Sequence, residues 1–279
     1  MSDPLIIYLH LPKSAGTTLE QFFYTLYVPG PGPFEEEVLE AANGYVNYGL
    51  YHFRGGFYGE GDTIDDADLA PVLQRPDIRV AMGHFMFGVH RLQSRPVVYV
   101  TLLREPVSRV VSFAYHHLSW EHGDPQRSVS AEQLEAYLAE STLLELDNGQ
   151  TRRIAGVDLP FGSLTAETLE LAKRNLAEYF SAVGLTERFD ESLVLFAQAL
   201  GWPRDDTYFL PHQVSPGRPS ISSAARELAA ERNSLDIELY RYAETLFEER
   251  LQGLGDLEAE LVRLASAREK TKREWGHLA

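Results

Sequence analysis

The chain has 279 residues, and 44% of them are hydrophobic, which is enough for the core of one large α/β domain. Its formal net charge of −16 argues against a broad surface for nucleic acids or heparin, because such polyanions are bound by clustered lysines and arginines. Any anion must therefore be bound locally.

The sequence contains no cysteine, which excludes a disulfide framework and a thiolate metal site. Its first residues have neither a basic segment nor a long apolar one, so no secretory signal is predicted. No run approaches the roughly 20 apolar residues of a membrane span. We therefore expect a cytoplasmic protein.

The first regular stretch has the pattern of a strand, a turn and a helix opening. Residues 5–9 are a short apolar run, typical of a parallel strand covered on both faces. The next turn carries Lys13 among small residues, with Thr17 and Thr18 as N-cap candidates. A helix start binds anions through its unpaired N–H groups, and Gly16 lets a phosphate approach the backbone. The stretch predicts a phosphate cradle.

Two common nucleotide motifs do not describe this turn. The P-loop needs G-x-x-x-x-G-K-[ST], whereas Lys13 here precedes Gly16, and the G-x-G-x-x-G fingerprint is missing. A plain strand-to-helix turn without a ligand therefore remains open as an alternative.

Three later apolar runs also predict strands, each leading to a polar residue. These are residues 77–84 ending at His84, residues 96–103 leading to Arg104, and residues 180–185 leading to Thr186. Residues 28–76 lack periodicity, and we expect an irregular excursion with short helices that forms part of a substrate mouth.

Helices are predicted between and after these strands. They are expected from Pro106, near 131–145, over 165–178, after residue 187 and from Ser222 or Ser223, with loops at 119–131 and 211–219 and a short edge strand at 207–210. The charged residues 251–279 are expected to be a helical extension of a domain that spans residues 1–250.

Strands that alternate with helices predict a mostly parallel central sheet flanked by helices, an α/β fold of the P-loop-like, three-layer kind. Ligands of such sheets bind beyond the carboxyl ends of the strands. Lys13, His84, Arg104 and Thr186 all follow predicted strands, so we expect them on one edge.

The segment after the strand at 96–103 offers a second anion site. Arg104 could bind a phosphate bidentately and Ser112 could bind it through its hydroxyl. Arg104 and Arg109 could instead pair with surface carboxylates, which are abundant in so acidic a chain.

These motifs resemble a known family. Residues 12–18 (P-K-S-A-G-T-T) and 104–112 (R-E-P-V-S-R-V-V-S) are similar to the two nucleotide signatures of sulfotransferases that use 3′-phosphoadenosine 5′-phosphosulfate (PAPS). The resemblance covers about residues 5–247. It is closest to the branch with the uronyl 2-O-sulfotransferases of heparan sulfate, because Gly83-His84 and residues 175–187 have counterparts there.

The resemblance implies PAPS as the donor and the bisphosphate PAP as its product. No metal is expected, because the sequence has no H-E-x-x-H motif. The first loop would hold the 5′-phosphosulfate, Arg104 and Ser112 the 3′-phosphate, and a loop around residue 217 would close over the nucleotide. The cofactor-binding residues implied are Lys13, Ser14, Ala15, Gly16, Thr17, Thr18, Arg104, Ser112, Thr186, Gly217 and Arg218. Lys13 would also stabilise the leaving phosphate, and His84 matches the proposed base of the family.

Candidate residues for the acceptor follow from chemistry and position. A histidine can take the acceptor's hydroxyl proton, and His52 is the reserve candidate for that role. An apolar pocket could be lined by Phe53, Phe57, Tyr58 and Phe85, or these side chains could be ordinary core residues. Arg152 and Thr151 are further polar candidates.

The acceptor and the reaction class have alternatives. The acidic, cysteine-free chain disfavours a highly sulfated polysaccharide, so we expect a small or carrier-linked alcohol or a neutral sugar hydroxyl. A P-loop-like small-molecule kinase and a non-catalytic nucleotide-binding interaction module are the competing hypotheses. The oligomeric state is not predicted.

Overall fold

A seven-stranded sheet organises the chain in the computed structural model, which describes residues 3–27, 39–41, 44–53, 66–121, 129–202 and 219–275. The strand order is β2-β3-β4-β5-β1-β6-β7. The five strands from β4 to β7 in this order are parallel, while β2 and β3 are antiparallel additions at one edge. The strands are β1 (Leu5–Leu9), β2 (Leu39–Ala41), β3 (Gly44–Asn47), β4 (Leu50–Phe53), β5 (Val80–Gly83), β6 (Val97–Leu103) and β7 (Phe180–Leu185).

Helices flank this sheet, which confirms the expected α/β architecture. They are α1 (Gly16–Tyr27), α2 (Asp66–Leu73), α3 (Pro106–Glu121), α4 (Ala131–Glu140), α5 (Gly149–Ala155), α6 (Ala166–Tyr179), α7 (Phe189–Ala199), α8 (Ser223–Arg232), α9 (Ser234–Gln252) and α10 (Leu257–Trp275). Short 3-10 turns cover Val89–Leu92, Leu144–Leu146 and Thr186–Arg188.

The core lies on both faces of the parallel strands. Every residue of β1 is buried, as the apolar run predicts. On one face Tyr8 packs on Phe23 of α1, with ring centroids 5.7 Å apart. A second, smaller cluster holds α3, α4 and α8 together around Phe113 and Leu134.

The four strands predicted from apolar runs are confirmed. The excursion expected at 28–76 is wrong in part, because β3 and β4 form a hairpin there. Its turn has positive φ at Tyr48 (52°) and Gly49 (77°), the backbone of a type I′ turn. The pattern hid this hairpin because tyrosine stands where asparagine or glycine usually supplies positive φ.

Several helix boundaries also differ from expectation. α1 begins at Gly16, so neither Thr17 nor Thr18 is its N-cap. α5 forms where no helix was predicted, and the long helix after Ser222 is two helices that meet at Asn233. The predicted strand at 207–210 and nearly all of the loop at 211–219 lie outside the described residues.

The charged C-terminal segment packs on the rest of the chain through α10. Leu264 is buried, and Arg268 donates to Asp190 of α7 at 3.1 Å. Within the described residues no helix combines the length and apolarity that crossing a membrane requires.

We predict that Gly184→Ala destabilises the protein by about 1–3 kcal/mol, because overpacking strains a filled core. A Cβ on this β7 residue would lie 2.7 Å from Leu102 Cδ1 and from Ser192 Cβ. Denaturant unfolding measures the change. The control is Gly255→Ala, whose Cβ would meet nothing within 4 Å, and equal stability of the two variants would contradict this packing.

Candidate functional site

The loop between β1 and α1 has a backbone suited to anions. Lys13 (φ 65°) and Ala15 (φ 58°) are both left-handed, which costs roughly 1–2 kcal/mol for each L-residue. Left-handed residues interleaved with others turn successive N–H groups to one side, and such concavities bind anions. The first N–H groups of α1 point back towards the same loop.

Ser14 gives this loop an unsatisfied polar group. Its side chain is fully buried, and Oγ has no hydrogen-bond partner among the residues that the structure describes. Buried hydroxyls normally have one. An oxygen-rich ligand in the loop would supply it.

Arg104 joins the two predicted anion-binding segments. Its Nη1 donates to the carbonyl oxygen of Lys13 at 2.9 Å. The buried side chain of Gln150 holds the main chain of Arg104 from both sides, because Oε1 accepts from its N–H at 3.0 Å and Nε2 donates to its carbonyl at 2.9 Å. Thr186 Oγ1 donates to the carbonyl of Leu103, which fixes the ends of β6 and β7 together.

The N–H groups at the start of α3, the helix after Arg104, are not available to an anion. The carboxylate of Glu105 accepts hydrogen bonds from the N–H groups of Val107 and Ser108, so it already caps α3. An anion near Arg104 must therefore be bound by side chains. Ser112 lies further along α3 and is 6% exposed.

His84 follows β5 and is fixed through one ring nitrogen. Nδ1 lies 2.8 Å from the carbonyl oxygen of His10, and a carbonyl only accepts, so Nδ1 carries the proton. The pKa of His84 lies well below the ordinary histidine value, chiefly because of burial and then because of nearby His10, Arg153 and Lys13. A neutral His84 therefore has its lone pair on Nε2, as a general base requires.

Arg153 contacts this histidine, whereas Arg152, the arginine predicted for the acceptor side, does not. Arg153 Nη1 donates to the carbonyl oxygen of His84 at 2.6 Å. Arg152 instead pairs with Asp147 at 2.9 Å, and its side chain is 1% exposed, which points to a structural role. Neighbouring residues on a helix point about 100° apart, so two adjacent arginines have different surroundings.

A buried ionic cluster supports Arg153. Glu145 accepts from Arg153 Nε at 2.6 Å and from Arg109 Nη1 at 2.9 Å. Asp236 lies 3.6 Å from Arg109 and accepts the N–H of Thr151 at 2.7 Å. Arg109 thus pairs with buried carboxylates, not surface ones.

The other predicted acceptor residues are packed side chains. His52 is 7% exposed, and its Nε2 lies 2.7 Å from the hydroxyl of Tyr24. Phe53 and Phe85 are buried and stack on each other at 5.0 Å. Thr151 is fully buried. Phe57, Tyr58, Gly217, Arg218 and the side chain of Thr17 lie outside the described residues.

The sequence reasoning missed His10 and Glu20 beside this site. His10 Nδ1 lies 3.0 Å from Glu20 Oε1, and the ring centroids of His10 and His84 are 4.4 Å apart. The available signal was position, because His10 directly follows β1 as Arg104 follows β6. Across the described part of the chain, no group of three or more histidines and carboxylates could hold a metal ion.

A family model described as Galactose-3-O-sulfotransferase matches residues 69–275, more than half of the chain. The match includes His84, Arg104 and Arg153 and begins after the first loop.

Curated relatives agree with this match. Galactose-3-O-sulfotransferase 3 of Bos taurus is 30% identical over 219 residues, which cover 70% of this chain and 49% of the relative. The Homo sapiens protein of the same name is 29% identical over 219 residues, covering 70% and 48%. Heparan-sulfate 6-O-sulfotransferase 1 of Homo sapiens is 28% identical over 193 residues, covering 59% and 46%. The chain spans about half the length of these relatives.

We predict that His84 stays neutral as the pH falls through 6.5, the ordinary histidine value, and gains a proton only well below it. Burial and the nearby cations disfavour the imidazolium, so the sign of the shift is downward. Nitrogen-15 NMR of histidine-labelled protein measures both the titration midpoint and the tautomer of His84. The His84→Asn variant identifies which signals belong to this residue. A midpoint at or above 6.5, or a proton on Nε2, would contradict the geometry.

Proposed function

Because the chain belongs to the galactose-3-O-sulfotransferase family, we propose that it transfers a sulfuryl group from PAPS to an acceptor hydroxyl at the edge that carries Lys13, His84 and Arg104. The resemblance of its motifs to PAPS-dependent sulfotransferases is thereby confirmed at the level of the family. The observation that supports the proposal most directly is the contact of Arg104 with the Lys13 carbonyl, because it brings the arginine of the second motif against the backbone of the first.

The residues present suit a nucleotide with two phosphate positions. The first loop offers Lys13, the N–H groups of α1 and the buried hydroxyl of Ser14 to a 5′-phosphosulfate. Arg104 and Ser112 would bind the 3′-phosphate, where the capped start of α3 leaves binding to side chains. Gly217 and Arg218 remain predictions for closure over the nucleotide.

PAPS supplies the sulfuryl group, whose bond to the 5′-phosphate oxygen breaks as a bond to the acceptor oxygen forms. His84 takes the acceptor's hydroxyl proton on Nε2, since Nδ1 is already protonated and bound to His10. Lys13 neutralises the charge that develops on the phosphate oxygen. Arg153 holds the main chain of the base in place.

We infer a neutral sugar hydroxyl as the acceptor, on a galactose residue that is free or carrier-linked. The names of the relatives specify galactose and heparan sulfate. The net charge of −16 disfavours heparan sulfate, because an acidic protein would repel a highly sulfated chain.

We predict that the protein binds PAP in calorimetry and that Lys13→Ala lowers kcat by about 100-fold or more, because the lysine acts on charge that develops in the transition state. PAP affinity should fall by less than kcat. The matched control is Lys173→Ala, which removes a lysine paired with Glu170 on the surface.

Absence of PAP binding at near-millimolar ligand would overturn the proposal. So would stronger protection against heat by ATP with magnesium than by PAP, which would favour a kinase.

We predict that His84→Ala lowers kcat by about 100-fold to 10,000-fold, which is the usual contribution of a general base. PAP binding should be unchanged. Sulfate transfer to galactose-terminated acceptors, followed by mass spectrometry, measures turnover. Loss of PAP binding equal to the loss of turnover would contradict the assignment of His84 as the base.

A further inference from the structure

We propose that His10 and Glu20 form a positioning pair that fixes the imidazole of His84 at the edge of the sheet. The proposal rests on the proposed function, since it concerns the base of that reaction. It concerns two side chains that the two nucleotide motifs do not contain.

The ring of His10 is held on several sides. It stacks on Tyr8 with centroids 5.3 Å apart and planes 13° apart. On another side it lies against the backbone of Gly16, where an added Cβ would lie 1.6 Å from His10 Nε2. The side chain is 8% exposed, so it has little freedom to change rotamer.

Glu20 determines which way this ring faces. It lies on α1 one turn after Gly16, and its Oε1 is 3.0 Å from His10 Nδ1. Burial alone would raise the pKa of Glu20, but the hydrogen bond from His10 and the proximity of His10 and His52 bring it below the ordinary value. Glu20 is therefore a carboxylate that accepts, and Nδ1 of His10 donates.

His10 contacts His84 through both its main chain and its ring. Its carbonyl oxygen accepts the Nδ1 proton of His84 at 2.8 Å, which selects the tautomer of the base. Its ring lies 4.4 Å from the ring of His84, so it also limits where that ring can move. One residue thus controls the protonation pattern and the position of the base.

The groups that lower the pKa of His84 come from three parts of the chain. His10 follows β1, Lys13 lies in the first loop and Arg153 lies on α5, and all three lower the pKa of His84. Behind them Glu145 accepts from Arg153, and Glu20 accepts from His10 with His52 nearby. Replacing the His10 ring removes one of the three groups that lower the pKa of His84 and part of its burial, and both changes raise that pKa.

The experiment uses His10→Asn, whose side-chain amide can still donate to Glu20 but which lacks the imidazole ring. We expect the NMR midpoint of His84 to rise in the nucleotide-free protein, because burial and one group that lowers its pKa are removed. We expect kcat to fall about tenfold or more with KM for PAPS unchanged, because a misplaced base slows the chemical step. Glu20→Ala, which removes the acceptor of the His10 Nδ1 hydrogen bond, should produce the same split between kcat and KM.

Glu170→Gln is the control, because it removes a surface carboxylate that pairs with Lys173, and it should leave the midpoint of His84 unmoved. If His10→Asn does not fold, as judged by circular dichroism, the split in Glu20→Ala decides the outcome, and a folded Glu20→Ala with the wild-type kcat would then overturn the pair. A folded His10→Asn with the wild-type midpoint and kcat would overturn the pair. Lack of PAP binding and of turnover in the wild type would instead overturn the proposed function, while the NMR shift would still test the pair.

Discussion

The candidate site depends on α5, a seven-residue helix in which every residue is buried. Gln150 from its first turn holds the main chain of Arg104, and Arg153 from its last turn holds the carbonyl of His84. So short a helix has little stability of its own. Asp236 binds its first N–H groups, and Glu145 binds Arg153 at its far end. Breaking one partner of such a buried ion pair typically costs about 3–5 kcal/mol, because the other charge is left buried.

Many of the acidic residues behind the net charge of −16 lie away from the first loop, and several of them pair with buried arginines. The buried arginines are matched by buried carboxylates, so Arg109, Arg152 and Arg153 contribute mainly to structure. Glu105 occupies the start of α3 in the same way, and the start of α1 has no acidic residue in its first turn. The two ends of the nucleotide would therefore be bound by different means, one by backbone N–H groups and the other by side chains.

The sequence predicted the parallel strands of the sheet and the polar residues that directly follow them. Apolar runs located β1, β5, β6 and β7, and the rule that parallel strands end at one edge placed Lys13, His84 and Arg104 together. The hairpin of β3 and β4 was missed because its turn depends on Tyr48 in an unusual conformation. Arg153 could not be told from Arg152, since that choice depends on the phase of a helix with no apolar pattern of its own. His10 and Glu20 are ten residues apart and pair only once α1 packs on the sheet.

The contact of Gly16 with His10 ties two parts of the site to a single position. Any side chain at residue 16 would enter the space that the ring of His10 occupies. A substitution there would deform the loop between β1 and α1 and displace the ring beside His84 in the same step. The loop between β1 and α1 and the ring beside His84 therefore share one steric constraint, and residue 16 cannot change without disturbing both.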